Sequence, residues 1–160
     1  MKGHSIVVTD GDRDRLSRLV RALKHSFFRD QLQLEMLDQT LESAEVTSPD
    51  RIPRDVVRMN SRVRVLDFDT RQKDLYTLVF PENADISASR ISVLAPVGIA
   101  LLGRRQGDVI EAEVPRGTRR LRVEHVLYRP EIAGKRVRPD RSNRRKLHSG
   151  RTIQRTTLAA

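Results

Sequence analysis

The sequence predicts an α+β protein in which a short N-terminal antiparallel helical hairpin precedes a small antiparallel sheet domain with one short helix. The first observation is a change in the spacing of apolar residues, from a helical period near the N-terminus to a period of two further along. The second is a pair of prolines, Pro49 and Pro53, which end the helical part because a residue before proline avoids the helical conformation. We therefore divide the chain into a hairpin (1–47), a sheet domain (48–130) and a basic tail (131–160).

The helical part contains two amphipathic segments. Residues 10–24 form the first, where Thr9 or Asp10 is placed to cap the start and the apolar stripe comprises Leu16, Leu19, Val20 and Leu23. The stripe of the second segment comprises Leu34, Leu37, Leu41 and Ala44. Neighbouring short helices of this kind usually pair as an antiparallel hairpin, so we expect its loop near Ser26–Asp30.

The sheet domain is predicted from five apolar or alternating stretches, at residues 62–65, 75–80, 91–94, 109–114 and 121–126. One helical segment, Val97–Leu102, lies between the third and the fourth. Pro96 suits the first turn of this helix, and Gly103 suits a left-handed end. Several short strands with one interposed helix indicate a small α+β sheet domain.

The positive charge of the chain is concentrated at its C-terminus. Residues 129–160 contribute ten Lys and Arg against two acidic side chains, or +8 of the formal net charge of +10. These residues carry too little apolar surface to offset the entropy cost of ordering the chain, and we therefore expect a disordered tail. Its basic side chains suit salt-sensitive, sequence-independent contacts with DNA or RNA, and a purely solvated tail is the alternative. The candidate contacts are Arg136, Arg138, Arg141, Arg144, Arg145 and Lys146.

Composition argues against several classes of function. The chain has no cysteine, and only 4% of its residues are aromatic, so we expect a small aliphatic core and no disulfide or thiolate site. Its four histidines lack metal-ligand spacing, and no nucleophile elbow or phosphate-binding loop is present. We therefore predict no catalytic residue, metal or cofactor. No apolar run reaches the ~20 residues of a membrane span, which favours a cytoplasmic monomer that does not contact membranes.

A segment in the middle of the sheet domain resembles a known family signature. Residues 91–108 read ISVLAPVGIALLGRRQGD, which is similar to the pattern S-x-x-S-P-x-G-x-A-L-x-G-x-x-x-G-D in the C-terminal domain of the bacterial GreA/GreB transcript-cleavage factors. The matching residues are Ser92, Pro96, Gly98, Ala100, Leu101, Gly103, Gly107 and Asp108, and Ala95 stands where the family usually has Ser. Residues 48–67 resemble the Rnk branch of that family, polymerase-binding relatives with a shortened hairpin.

The resemblance implies an FKBP-like fold for the sheet domain and RNA polymerase as the partner. It implies that the strand-to-helix turn docks on the rim of the polymerase secondary channel, through Ser92, Ala95, Pro96, Val97 and Gly98. Ala95 lacks the usual hydroxyl, which removes one polar contact and leaves the apolar one in place. The alternative is that this turn is only a structural corner in which Pro96 fixes the backbone.

The carboxylates at the hairpin tip and the length of the hairpin decide whether transcript cleavage is expected. In the cleavage factors a longer hairpin enters the channel, and acidic residues at its tip help to hold a catalytic magnesium ion. Here Asp30 is the only loop carboxylate, with Glu35 further into the second helix. Helices of about fifteen residues reach only ~22 Å, so we expect no cleavage activity. Phe27 and Phe28 at the tip either contact a partner or fold back over the end of the hairpin.

The function predicted by the resemblance is that of a regulator that binds RNA polymerase and competes with or modulates Gre-type elongation factors. One alternative is a sequence-independent nucleic-acid-binding protein that acts through the tail. Another is a prolyl isomerase, because such enzymes occur on the FKBP fold. That activity needs an aromatic-lined apolar pocket. The sheet domain has no tryptophan and few aromatic residues, namely Phe68, Tyr76, Phe80 and Tyr128, which argues against it.

Overall fold

The computed structural model describes residues 5–27 and 29–127. Its N-terminal part is the predicted helical hairpin, formed by α1 (Asp10–Lys24) and α2 (Gln31–Ser43). The Thr9 hydroxyl caps α1 by accepting a hydrogen bond from the backbone N–H of Asp12 at 3.2 Å. Two short strands flank the hairpin and pair in parallel, which the sequence did not predict; they are β1 (Val7–Thr9) and β2 (Glu45–Thr47).

The remaining strands form one five-stranded sheet in the order β5–β4–β3–β7–β6. Their bounds are Arg62–Asp67 for β3, Lys73–Val79 for β4, Arg90–Ser92 for β5, Val109–Val114 for β6 and Gly117–Val126 for β7. The short helix α3 (Pro96–Leu101) lies between β5 and β6, with Pro96 in its first turn as predicted. The predicted left-handed end is also confirmed, because Gly103 has a φ of 73°.

The sheet is antiparallel except where β5 joins it. The register pairs β5 in parallel with the end of β4, so that Arg90 faces Thr77 and Ser92 faces Val79. Two single-turn 3-10 helices, Pro81–Asn83 and Ile86–Ala88, take the chain back between these strands. A loop of this length lets β5 run in the same direction as β4, whereas a two-residue hairpin would have reversed it.

One hydrophobic core joins the hairpin to the sheet. The apolar stripes of α1 and α2 belong to the same buried cluster as the inward side chains of β3, β6 and β7. Its members include Leu16, Val20, Leu34, Leu37, Leu41, Val63, Val65, Ile110, Leu121 and Val123. The helices therefore cover the inner face of the sheet. The opposite face, called the outer face below, carries the alternating polar residues of the same strands.

A half-buried acid lies at this junction. The Asp12 carboxylate on α1 accepts a hydrogen bond from the backbone N–H of Met59 at 3.4 Å, just before β3. Burial raises the pKa of Asp12 above its usual range, and the nearby guanidinium of Arg58 opposes that shift. Burial likewise lowers the pKa of Arg58, which is only 8% exposed. The Asp12–Met59 hydrogen bond therefore links α1 to the segment before β3.

We predict that residues 48–130 keep their sheet when they are produced alone, because all five of its strands and α3 lie inside this range. The melting temperature should fall below that of the full chain, since removing the hairpin exposes the inner face of the sheet. Circular dichroism and thermal melts of the two proteins test this. A random-coil spectrum for residues 48–130 would contradict the proposed domain boundary.

Candidate partner-binding surface

The turn between β5 and α3 is held by Ser92. Its hydroxyl accepts a hydrogen bond from the backbone N–H of Leu94, and its carbonyl accepts one from the N–H of Ala95, both at 3.0 Å. The N–H of Val93 donates to the carbonyl of Val79 on β4 at 2.9 Å. Ser92 therefore shapes the turn from within, and the sheet anchors the turn on its other side.

Gly98 allows α3 to lie directly against the end of β5. A Cβ atom at this position would be 2.1 Å from the carbonyl oxygen of Ser92, so only glycine fits. The Val97 side chain is also buried, in the common core. Of the five residues implied by the family signature, Val97 and Gly98 thus serve the fold, and Ala95 and Pro96 offer half-buried surface.

Pro96 borders a groove of about 410 Å³ between α2, α3 and β6. Its apolar lining includes Leu32 and Met36 of α2 and Ala100 of α3. Charged and polar residues complete the lining, among them Arg104, Glu111, Glu113 and Thr118. An apolar groove with charged residues along it has the make-up of a protein-binding surface rather than of a closed catalytic pocket.

Two large apolar side chains of this groove face solvent. Leu32 is 63% exposed and Met36 is 43% exposed. Sequence reasoning missed both, because it followed only the stripe of α2 that faces the core. The signal was present, since α2 reads QLQLEMLDQTLES and carries two apolar residues more than one stripe requires. Exposed apolar residues clustered in this way are typical of contact surfaces.

At the hairpin tip, the side chain of Phe27 is fully exposed to solvent. Phe28 lies outside the described residues. Asp30 occupies the N-cap position of α2, yet its side chain makes no capping hydrogen bond, and its carbonyl accepts the N–H of Leu34 at 3.2 Å. Glu35 is exposed. Within the described residues, the tip therefore presents the ring of Phe27 and isolated carboxylates.

Among residues 5–27 and 29–127, no group of three or more His, Cys, Asp or Glu side chains is arranged to hold a metal ion. Within the same part of the chain, no helix combines the length and the hydrophobicity needed to cross a bilayer. The predicted tail contacts, from Arg136 to Lys146, lie outside the described residues.

Similarity to known proteins extends over both parts of the fold. The family described as "Transcription elongation factor, GreA/GreB, C-term" matches residues 52–128, which contain the sheet and the turn at Pro96. A curated relative from Escherichia coli (strain K12), "Regulator of nucleoside diphosphate kinase", is 37% identical over 135 residues, or 84% of this chain and 97% of the relative. This chain belongs to the GreA/GreB family.

Other members of the GreA/GreB family give the same assignment. A "Transcription elongation factor GreA" from Bartonella henselae is 30% identical over 107 residues, which cover 67% of this chain and 68% of the relative. The solved structure "Prokaryotic transcription elongation factor GreA/GreB from Nitrosomonas europaea" is 40% identical with a TM-score of 0.64, and the match covers 78% of this chain and all of that one. The match to the Escherichia coli relative covers more of the chain than the sheet domain and the tail contain together, so it extends into the hairpin.

Proposed function

We propose that this protein is a cytoplasmic transcription regulator that docks on RNA polymerase at the rim of the secondary channel. There it competes with or modulates Gre-type elongation factors. The observation that carries the proposal is the position of Pro96, which is half-buried in the family's turn and borders an apolar groove where Leu32 and Met36 are exposed. Membership of a family of transcription elongation factors supports this partner.

The physical basis of docking is burial of this apolar surface. Pro96 and Ala100 lie on α3, and Leu32 and Met36 lie on α2, so the backbone at these four positions needs little reordering to bind. Fully burying a side chain of this size contributes about 1.5–3 kcal/mol. The charged groups beside the groove, such as Arg104 and Glu111, set orientation more than affinity.

We expect the substitutions Pro96→Asp and Leu32→Asp each to weaken binding to core RNA polymerase by at least about tenfold, because each buries an unpaired carboxylate in the interface. Aspartate suits the first turn of a helix, so Pro96→Asp should leave α3 folded. The measurement is a binding titration with labelled protein.

Ile86→Asp is the matched control. Ile86 is 93% exposed in a 3-10 turn and is not part of the groove, so this variant carries the same added charge at another surface. It should bind as the parent protein does. Equal affinity of all three variants, with unchanged circular dichroism, would rule out the groove as the docking surface.

We propose further that the protein does not stimulate transcript cleavage. Thirteen residues in α2 give a rise of about 20 Å, and the tip offers Asp30 without a second loop carboxylate to hold magnesium. Stalled elongation complexes incubated with the protein and Mg²⁺ should therefore keep their RNA length. Shortening of the RNA that Asp30→Ala abolishes would overturn this.

The prolyl isomerase alternative finds no support in the groove. None of the residues that line it is aromatic, whereas that chemistry needs an aromatic-lined apolar pocket. Docking on a protein surface accounts better for an open, aliphatic groove.

A further inference from the structure

The outer face of the sheet is a concentration of positive charge on the folded part of the chain. On the three central strands it presents Arg62, Arg64, Lys73, Arg120 and Arg122, all exposed, against Glu124. Residues 1–128 carry a net charge of only +2, so the rest of the folded part is nearly balanced. Five of the 21 Lys and Arg side chains of residues 1–128 therefore share this face with few carboxylates.

Two of these five cations have a carboxylate partner. Lys73 Nζ lies 3.3 Å from Glu124 Oε2, and Arg120 Nε lies 3.4 Å from Glu111 Oε1 on the edge strand β6. No ion pair within the described residues involves the other three, which are Arg62, Arg64 and Arg122. Their charges remain available to an anion from outside.

The three arginines are also close together. Arg62 and Arg64 are two residues apart on β3, a separation of about 7 Å on the same side of a strand. Arg122 faces Leu66, which places it diagonally across from Arg64 at roughly 7–8 Å. Arg64, Arg122 and His125 line a shared open depression of about 380 Å³. Cations spaced in this way repel one another, and a bound polyanion relieves that repulsion.

We propose that the outer face, through Arg62, Arg64 and Arg122, binds the phosphate backbone of a nucleic acid without reading its bases. Guanidinium groups bind phosphate oxygens in a bidentate manner. Phe68 borders the face, but the guanidinium of Arg122 covers its ring at 5.2 Å from the centroid, so this ring is not available for stacking on a base. The contacts are therefore to phosphate alone.

Two further observations favour a nucleic acid over an acidic protein. Leu127, the last described residue, donates its backbone N–H to the carbonyl of Arg62 at 2.7 Å, and the ten basic residues of 129–160 follow it in the sequence. The sheet face is thus continuous along the chain with a long polycation, which suits a long polyanion. The groove at Pro96 lies mainly along α2 and α3, which cover the inner face, and it reaches the outer face only at the edge strand β6, where Glu111 lines the groove and pairs with Arg120. The inference does not depend on polymerase docking.

The test is a salt titration of the full-length chain with a fluorescent 20-base-pair DNA duplex and a single strand of equal length. The triple variant Arg62→Gln, Arg64→Gln, Arg122→Gln should lower affinity about tenfold or more at 0.1 M salt. The slope of log affinity against log salt should become shallower by about two to three, because each lost phosphate contact removes 0.7–0.9. The charge-matched control carries Arg13→Gln, Arg18→Gln and Arg21→Gln on the exposed side of α1.

The outcomes separate the possibilities. The control should lose little affinity and keep its slope. The corresponding triple Arg→Lys variant should lose the bidentate contacts but keep the salt slope, because it keeps the three charges, and this excludes misfolding as the cause of the loss in the Arg→Gln variant. Equal losses of affinity in the triple variant and in the charge-matched control would show that binding depends only on overall charge. That result would overturn the proposal. Tight binding of a polyglutamate peptide that the triple variant abolishes, with unchanged binding of DNA, would assign the face to an acidic protein instead.

Discussion

Replacing Gly98 by alanine should destabilise the protein by about 3 kcal/mol or more, which for a chain of this size lowers the melting temperature by roughly 6–12 °C. The added methyl group would lie 2.1 Å from the carbonyl oxygen of Ser92, and the neighbour that must move is backbone rather than a flexible side chain. The same displacement shifts Pro96, two residues earlier in α3. We therefore expect polymerase binding to fall together with stability.

Two other glycines provide the controls. Gly11 lies in α1 with nothing within 4 Å of its added Cβ, so Gly11→Ala should raise stability by about 0.5–1 kcal/mol through helix propensity. Gly107 has an open site but a φ of 95°, so Gly107→Ala measures backbone strain without a clash. If Gly98→Ala melts within a degree of Gly11→Ala, the close approach of α3 to β5 is not a real constraint.

The features predicted correctly from the sequence are those with a local cause. Strand β6 occupies 109–114 as predicted, because alternation over six residues reflects one buried and one exposed face. Pro96 at the start of α3 and Gly103 at its left-handed end follow from the backbone preferences of these two residue types. The antiparallel helical pair follows from two apolar stripes separated by a short loop.

The features that were missed depend on contacts distant in sequence. Strands β1 and β2 have three residues each, too few for alternation, and they exist because the hairpin brings their ends together. The groove beside Pro96 depends on how α2, α3 and β6 pack against one another. The spacing of residues in the sequence does not reveal this packing. The half-buried Asp12 has the position of an ordinary first-turn acid in the sequence, and its hydrogen bond to Met59 spans 47 residues.

Asp67 was missed for the same reason. It ends β3 with a side chain that is almost completely buried, and its carboxylate accepts the backbone N–H groups of Asp69 at 2.9 Å and Thr70 at 3.2 Å. It also accepts the Arg119 guanidinium from β7, with Nε at 3.0 Å. Arg119 in turn contacts Asp74 on β4 at 3.2 Å. One carboxylate therefore closes the β3–β4 turn and joins three strands.

The substitution Asp67→Ala should lower the free energy of unfolding by about 2–4 kcal/mol at neutral pH, because it removes the buried acceptor of two backbone N–H groups and the partner of Arg119. Hydrogen bonds from Thr70 and then Arg119 hold the pKa of Asp67 below its usual value, although burial opposes them. A carboxyl group with a depressed pKa contributes stability above the unfolded pKa and loses it as pH falls through the folded pKa. The difference in melting temperature between parent and variant should thus be largest near pH 7 and shrink below about pH 4.

The control is Asp69→Ala, which changes an exposed neighbour and should alter stability little. A difference in melting temperature between parent and Asp67→Ala that does not depend on pH would mean that the charge of Asp67 does not stabilise the fold.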